Sequence, residues 1–303
     1  MKKKFVFWRK LEGNPVEDNF SEKPEYHAFF EICNKKFDFR IANNKYSYVG
    51  KGVFKNVFRY KKYKIIPAEK EFKSEVIYQR KRVADDTFDN AVPLLDSNEF
   101  KKWCPDKWNQ YHLLKDLMPK TFLIEDEKYF KKHLIEIKTE KAVVKPRQGE
   151  KGENVIVFKK TNPPKLDENI LRTKGYLLQE FCDTNLNVNG IVNGIHDLKL
   201  ITIGENLFAN LRTPEKGKEF CTFDSPYTEV SINKLPKNVL EVHKEVVKRV
   251  RKKFPKDIYT IDIGITKKGP IVFEMNSHTA FPYLHFNYAE DFFDALIKHI
   301  RNL

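Results

Sequence analysis

The chain has 303 residues, a formal net charge of +14 and 41% hydrophobic side chains, including 25 Phe and 13 Tyr. That is enough apolar material for one large domain or two to three subdomains, and it excludes global disorder. The basic balance points to anionic partners, but the runs MKKK, RYKKYK, YQRKR and KRVRKK are scattered rather than gathered in one tail, which argues against a nucleic-acid ligand.

Four widely spaced cysteines without a CxxC pair give neither a zinc site nor a disulfide framework, and they fit reduced thiols in a cytoplasm. The opening MKKKFVFWRK returns to charge too soon for a signal peptide. No apolar run approaches the roughly 18 residues of a membrane span.

Residues 1–103 alternate short apolar runs with polar breaks. KFVFW, FDFRIA, YSYVG and SEVIYQR read as strands, and EYHAFFEICNKK as a helix, so a small α/β unit is expected. In CPDKWNQYHLLKDLMPKT, Asp106 is a plausible N-cap, Trp108, Tyr111, Leu114 and Leu117 share a helical face, and Pro119 ends the helix. KAVVKPRQGEKGENVIVF places two strands around a polar loop with Gly149 and Gly152. GYLLQEF is a further strand, and HDLKLITIGENLFANLR a hairpin turning at 204–206. VLEVHKEVVKRVRKKF is an amphipathic helix whose apolar stripe is read as Leu240, His243, Val247, Val250 and Phe254. YTIDIGI and PIVFEMN pair around TKKG, and AEDFFDALIKHI closes the chain as a helix.

Three of these pieces can carry chemistry. Alternation along the last hairpin puts Glu274 and Asn276 on one face, within reach of Asp262 on the paired strand. Two close carboxylates repel unless a cation or proton lies between them, so the hairpin is either ordinary polar surface or a Mg²⁺ site. Lys145 ends a strand before a loop whose two glycines let backbone N–H groups approach an anion; a glycine-containing hairpin turn is the plainer reading. Neither a Walker loop nor GxGxxG is present. LLQEFC, ending near Glu180, is either a core strand or one wall of an adenine slot.

In order, these pieces resemble the ATP-grasp superfamily, which includes D-alanine–D-alanine ligase, glutathione synthetase and the ribosomal-protein glutamate ligases. That family runs from a DK helix and P-x-T strand to a VVKP strand with a glycine-rich loop. An apolar strand ending in Glu, a D-[LY]-[RK] strand, a later Arg and an Asp…Glu-x-Asn hairpin follow. Here these are Asp106-Lys107, Pro119 to Thr121, Val143 to Pro146 with Gly149 and Gly152, Glu180, Asp197 to Lys199, Arg212, and Asp262 with Glu274 to Asn276. The likeness covers roughly residues 104–290.

The resemblance implies an α/β (α+β) ATP-grasp fold: two α+β subdomains, 104–180 and 181–303, clasp ATP behind a small α/β N-terminal domain, 1–103. It implies that Lys107 and Lys145 hold the phosphates and that the loop with Gln148, Gly149 and Gly152 covers them. Gln179, Glu180, Phe181 and Cys182 would contact adenine, with Glu180 taking its amino group. Asp262, Glu274 and Asn276 would ligate Mg²⁺, with Mn²⁺ as an alternative, and Lys199 and Arg212 would act on the transferred phosphoryl group. The implied reaction joins a carboxylate to an amine through an acyl phosphate, releasing ADP and phosphate. The carboxylate would belong to a small molecule, peptide or polymer of anionic character. A kinase for a non-carboxylate acceptor and a nucleotide-binding regulator are the alternatives, and a homo-oligomer is open.

Two departures from the family pattern are visible. Glu150 and Lys151 stand in the glycine-rich loop where many relatives carry small residues. SHTAFPYLHF follows Glu-x-Asn, with Tyr283 after Pro282 instead of a glycine, so the analogy to D-alanine or glutathione substrates stops here. His278 is either a substrate contact or a hydrogen-bonded loop residue. Arg80 and Arg82 are expected to be exposed solubility charges, with the cleft as the alternative.

Overall fold

The computed structural model describes residues 1–9, 23–43, 45–149 except 81–86, 152–222, 224–277 and 279–303. Arg82, Glu150, Lys151 and His278 lie outside the described residues.

The N-terminal part runs β1 (Lys4–Arg9), α1 (Pro24–Lys36), β2 (Asp38–Asn43), β3 (Tyr48–Gly50), β4 (Val53–Lys55), β5 (Phe58–Lys61), β6 (Lys64–Pro67), β7 (Glu71–Lys73), β8 (Val76–Gln79) and β9 (Leu94–Leu95). Its main sheet has the order β6-β5-β2-β1-β8-β9, and β2, β1, β8 and β9 pair in parallel. A parallel strand covered on both faces must be apolar where it is covered, and β1 is apolar and buried from Phe5 to Trp8. Phe5 and Phe7 pack toward α1, while Val6 and Trp8 pack toward the small β3-β4-β7 sheet. The strand expected over YSYVG begins only at Tyr48, because Lys45–Ser47 forms a single 3₁₀ turn.

Next come α2 (Asn98–Trp103), α3 (Lys107–Leu114), β10 (Thr121–Ile124), α4 (Glu127–Glu136), β11 (Lys141–Pro146), β12 (Ile156–Lys159), α5 (Glu168–Thr173) and β13 (Tyr176–Glu180). They give an antiparallel sheet of order β10-β13-β11-β12, whose core includes Phe130 of α4, Val144 and Leu178. Asp106 caps α3 as expected, accepting the Trp108 N–H at 3.0 Å. The helix stops at Leu114, however, well before Pro119. The chain turns there, and the Leu117 carbonyl accepts the Val272 N–H at 2.8 Å.

The last part holds β14 (Leu186–Val188), β15 (Val192–Gly194), β16 (Asp197–Ile203), β17 (Asn206–Arg212), β18 (Tyr227–Val230), α6 (Lys237–Lys253), β19 (Tyr259–Thr266), β20 (Gly269–Asn276) and α7 (Ala289–Arg301). β14 and β15 form a separate hairpin, and the rest of the strands make an antiparallel sheet of order β18-β17-β16-β19-β20. One face of that sheet packs on α6 and α3 through Leu198, Leu200, Ile261 and Ile263. The stripe of α6 keeps His243, Val250 and Phe254 buried as expected, while Val239 and Val246 are buried in place of Leu240 and Val247, which are half-buried. His243 fits this apolar face because Thr202 meets its Nε2 at 2.9 Å.

The other face meets α7 through Ile201, Ile203 and Phe208, and α7 also packs against α1, Phe5 and Phe7. The apolar cover ends there. Continuing along the same faces of β16 and β17, alternation brings Lys199, Asp197, Asn210 and Arg212 into a cleft. No helix among the described residues is long and apolar enough to cross a membrane.

Candidate active site

The cleft has a volume of about 1140 Å³ and draws its walls from all three larger sheets. Its floor is one row of side chains across four strands. Strand register aligns Asn210 of β17 with Lys199 of β16, Lys199 with Asp262 of β19, and Asp262 with Glu274 of β20. A bulge after Asp262 lets the strands keep this pairing, and Asn276 lies opposite Thr260 one step along. The sequence expectation for this hairpin, with both carboxylates brought together, is what the structure contains.

Glycine at 264 is a steric requirement of that hairpin. A Cβ there would lie 2.5 Å from the Phe273 ring and from Thr184 Cγ2. Phe273 lines the cleft, and its carbonyl accepts the Lys145 ammonium at 3.4 Å. The middle of β20 is pinned from below. Gln110 of α3 donates to the Met275 carbonyl at 2.7 Å and accepts its N–H at 2.8 Å, fixing the backbone between Glu274 and Asn276. Sequence reasoning passed over Gln110 because a glutamine on a helix carries no signal of its partner.

The electrostatics follow from burial. Asp262, only 2% exposed, accepts Lys199 at 2.8 Å on one oxygen and Arg212 at 2.8 Å on the other. Burial alone would raise its pKa, but the two cations outweigh burial and hold it below the usual carboxylate range. Arg212 also grips Asp197 with two bonds of 2.6 and 2.7 Å. Asp197 is nevertheless pushed up to about 6, first by burial and then by its like-charged neighbour Asp262, against the pull of Arg212. Lys145 is pushed down to about 8, chiefly by burial.

Lys107 sits on the first turn of α3 and donates to the Gly149 carbonyl at 2.8 Å, with Glu274 at 3.9 Å. Its turn is held by Asp106, which accepts Nε and Nη2 of Arg147 at 2.6–2.9 Å. This pair ties the start of α3 to the end of β11 and so sets Lys107 beside Lys145.

Of the fourteen site residues expected from sequence, thirteen line this cleft: Lys107, Lys145, Gly149, Gly152, Gln179, Glu180, Phe181, Cys182, Lys199, Arg212, Asp262, Glu274 and Asn276. Gln148 does not; its side chain is exposed and outside the cleft, because the turn after Pro146 presents Gly149 inward instead. Gly152, at φ +78°, comes near Phe220 and Thr222 across the cleft mouth. Two of the residues expected at adenine have protein partners. The Gln179 amide donates to Thr121 Oγ1 at 2.7 Å, and Glu180 Oε1 accepts the Lys138 N–H at 3.0 Å.

The expectation for Arg80 is corrected. It is 6% exposed and lines the cleft, because α1, β8 and the loop after β20 converge on it. His196 and Thr260 are further cleft residues without a sequence signal. His196 Nε2 and Thr260 Oγ1 are buried with no hydrogen-bond partner among the described residues.

The donor set suits a hard divalent cation. The Asn276 amide nitrogen donates to Glu274 Oε1 at 3.1 Å, which leaves the Asn276 amide oxygen and Glu274 Oε2 as oxygen donors on one face. Both oxygens of Asp262 are already bonded to Lys199 and Arg212, and no cluster of three His, Cys, Asp or Glu occurs among the described residues. The protein oxygens free for a cation are therefore few.

The ATP-grasp domain profile matches residues 104–280, more than half of the chain. The chain belongs to the ATP-grasp family. Its fold is shared with several solved ATP-grasp proteins at low identity. The ATP-grasp ligase PsnB, solved with a phosphomimetic variant of its minimal precursor, Mg and ADP, has 13% identity and a TM-score of 0.60 over 99% of both chains. A Chryseobacterium gregarium RiPP-associated ATP-grasp ligase, solved with ADP and leader and core peptides, has 13% identity and a TM-score of 0.63, covering 99% of this chain and 97% of that one. D-alanyl-alanine synthetase A from Vibrio cholerae has 10% identity and a TM-score of 0.61 over 100% of both. No curated protein matches the chain in sequence.

Proposed function

We propose that this protein is an ATP- and Mg²⁺-dependent carboxylate–amine ligase working through an acyl phosphate. The observation that carries the reading is the register-aligned row Lys199–Asp262–Glu274, with Arg212 bonded to Asp262 and with Lys107 and Lys145 lining the same cleft. Phosphoryl transfer asks a protein mainly for positioning and charge neutralisation, which such a row supplies. The cations Lys107, Lys145, Lys199 and Arg212 stand with Asp197, Asp262 and Glu274 in the cleft, and the opposite face of the sheet that carries the row packs on α6 and α3 through mainly apolar side chains.

In this reading Lys107 and Lys145 hold the nucleotide phosphates, and the backbone around Gly149 and Gly152 covers them. Val143, Phe181, Cys182 and Met275 line the adenine side, with Gln179 and Glu180 fixing the strand that carries it. Glu274 and Asn276, with Asp262 behind them, would hold Mg²⁺, which would supply neutralisation of phosphate charge. Lys199 and Arg212 orient the acceptor carboxylate. One of its oxygens attacks the γ-phosphorus and ADP departs, giving the acyl phosphate. The amine nitrogen then attacks the carbonyl carbon, loses a proton, and phosphate leaves as the amide forms. Arg212 stabilises the negative oxygen of that addition. The chain divides at 104 and 180 into an N-terminal domain and two grasp subdomains. Four unpaired cysteines fit a reducing, cytoplasmic setting. The acceptor is a small molecule or peptide of anionic character.

The test is product analysis with ATP, Mg²⁺ and a metabolite extract of the host. ADP and phosphate formed only when the extract is present support the ligase. AMP and pyrophosphate contradict the acyl phosphate.

A further inference from the structure

The N-terminal wall of the cleft holds a second group of cations that the proposed chemistry does not use. Arg9 closes β1, Arg80 follows β8, and Lys23 precedes α1; all three line the cleft, with Glu25 and Tyr26 beside them. β1 and β8 are parallel neighbours, so both arginines stand at the carboxyl ends of adjacent parallel strands, the usual ligand-facing edge of such a sheet.

Arg80 is the decisive member. It is 6% exposed, yet it makes no ion pair among the described residues. Its Nη1 donates to the Tyr78 hydroxyl at 2.8 Å and to the Thr279 carbonyl, and its Nε has no partner. The Phe281 ring lies 4.3 Å from the guanidinium carbon, with Tyr78 and Tyr26 a little farther. The carboxylate whose field reaches it, Asp96, is itself 3.4 Å from Lys101. A buried charge normally has an opposite charge beside it, and one held among the described residues only by hydroxyl, ring and carbonyl groups is costly to keep.

We propose that Arg80, assisted by Arg9 and Lys23, binds a second carboxylate of the acceptor, so that the substrate is a dianion spanning from Arg80 to Lys199 and Arg212. This rests on the ligase reading and names its substrate class. The uncapped first turn of the 13-residue α1 adds partial positive charge at the same end. Glu25 is the opposing acid that the N-terminal part contributes to this wall among the described residues. Planar two-point contact with a carboxylate is what a guanidinium offers and an ammonium does not.

The experiment uses the full chain saturated with a non-hydrolysable ATP analogue and Mg²⁺. It is titrated with α,ω-dicarboxylates of increasing length and with the matching monocarboxylates. One length is expected to bind about tenfold or more tighter than its monocarboxylate partner. Arg80→Met should remove that advantage while leaving monocarboxylate and nucleotide affinity as in wild type. Arg80→Lys should recover only part of it, and serves if the methionine variant does not fold. Equal binding of mono- and dicarboxylates to wild type, or an advantage that survives both substitutions, overturns the proposal. Failure of the analogue to bind with Mg²⁺ would instead overturn the ligase reading beneath it.

Discussion

The two walls of the cleft hold buried arginines in opposite company. Arg212 on β17 sits between Asp197 and Asp262, with three bonds to carboxylate oxygens at 2.6–2.8 Å. Arg80 beyond β8 sits among aromatic rings, the Tyr78 hydroxyl and one carbonyl, with no carboxylate partner among the described residues. A fully paired arginine is part of a rigid electrostatic frame whose own geometry depends on it. One without a carboxylate partner contributes little to holding the fold and keeps its bonding capacity for a ligand.

That contrast is open to direct attack, first through Arg212. Replacing it by Met takes the arginine from buried Asp197 and leaves Asp262 with Lys199 alone, so stability should fall by about 3–5 kcal/mol and turnover should vanish, as read by thermal melts and ADP release. The same change at Arg80 should leave the melting temperature within a few degrees of wild type. If both variants melt alike, the contrast is wrong.

Glu274→Gln keeps the size and the bond from Asn276 but removes a charge. Mg²⁺-dependent ADP formation should drop by about 10²–10³ while the melting temperature holds. An unchanged rate would remove Glu274 from the metal role.

Lys145 sharpens the electrostatic side. Its folded pKa, about 8, lies below its ordinary 10.5. Between these values the unfolded chain still holds the proton that the fold has released, so this group's contribution to stability rises with pH across that window. Nucleotide phosphates favour charged Lys145, so ADP affinity should fall by up to about tenfold from about pH 7 to about pH 9. Lys145→Met should flatten that slope, and a slope that persists in the variant assigns it elsewhere.

The smallest effect is expected at Gln148. Its side chain is exposed and outside the cleft, so Gln148→Ala should alter stability by less than about 0.5 kcal/mol and leave nucleotide affinity unchanged.

How far these features could be read from sequence depends on whether they are local. The β19–β20 hairpin was legible because alternation and the TKKG turn are short-range, and they fix which face Asp262, Glu274 and Asn276 share. The Asp106 cap was legible for the same reason. The end of α3 was not: the helix stops at Leu114 although Pro119 is the local stop signal, and the segment after it is bonded to β20 more than 150 residues away, through Val272 and the Leu117 carbonyl. Arg80 was misread because YQRKR looks like any basic surface run. Its burial depends on α1, β8 and the 279–281 loop meeting in space. Of the loop residues named together, Gly149 lines the cleft and Gln148 does not, a distinction that loop geometry rather than composition decides. The bidentate match of Arg212 to Asp197, and of Arg147 to Asp106, is likewise a product of strand register and chain crossing.

The most direct test of the central claim follows one oxygen atom. The acceptor, isolated by fractionating the extract, is labelled with ¹⁸O in its carboxylate and turned over with ATP and Mg²⁺. The account predicts one ¹⁸O in the released inorganic phosphate and none in the nucleotide, because the acyl phosphate takes an oxygen from the acid. Label in AMP, or unlabelled phosphate alongside a stable phosphorylated product, would contradict it.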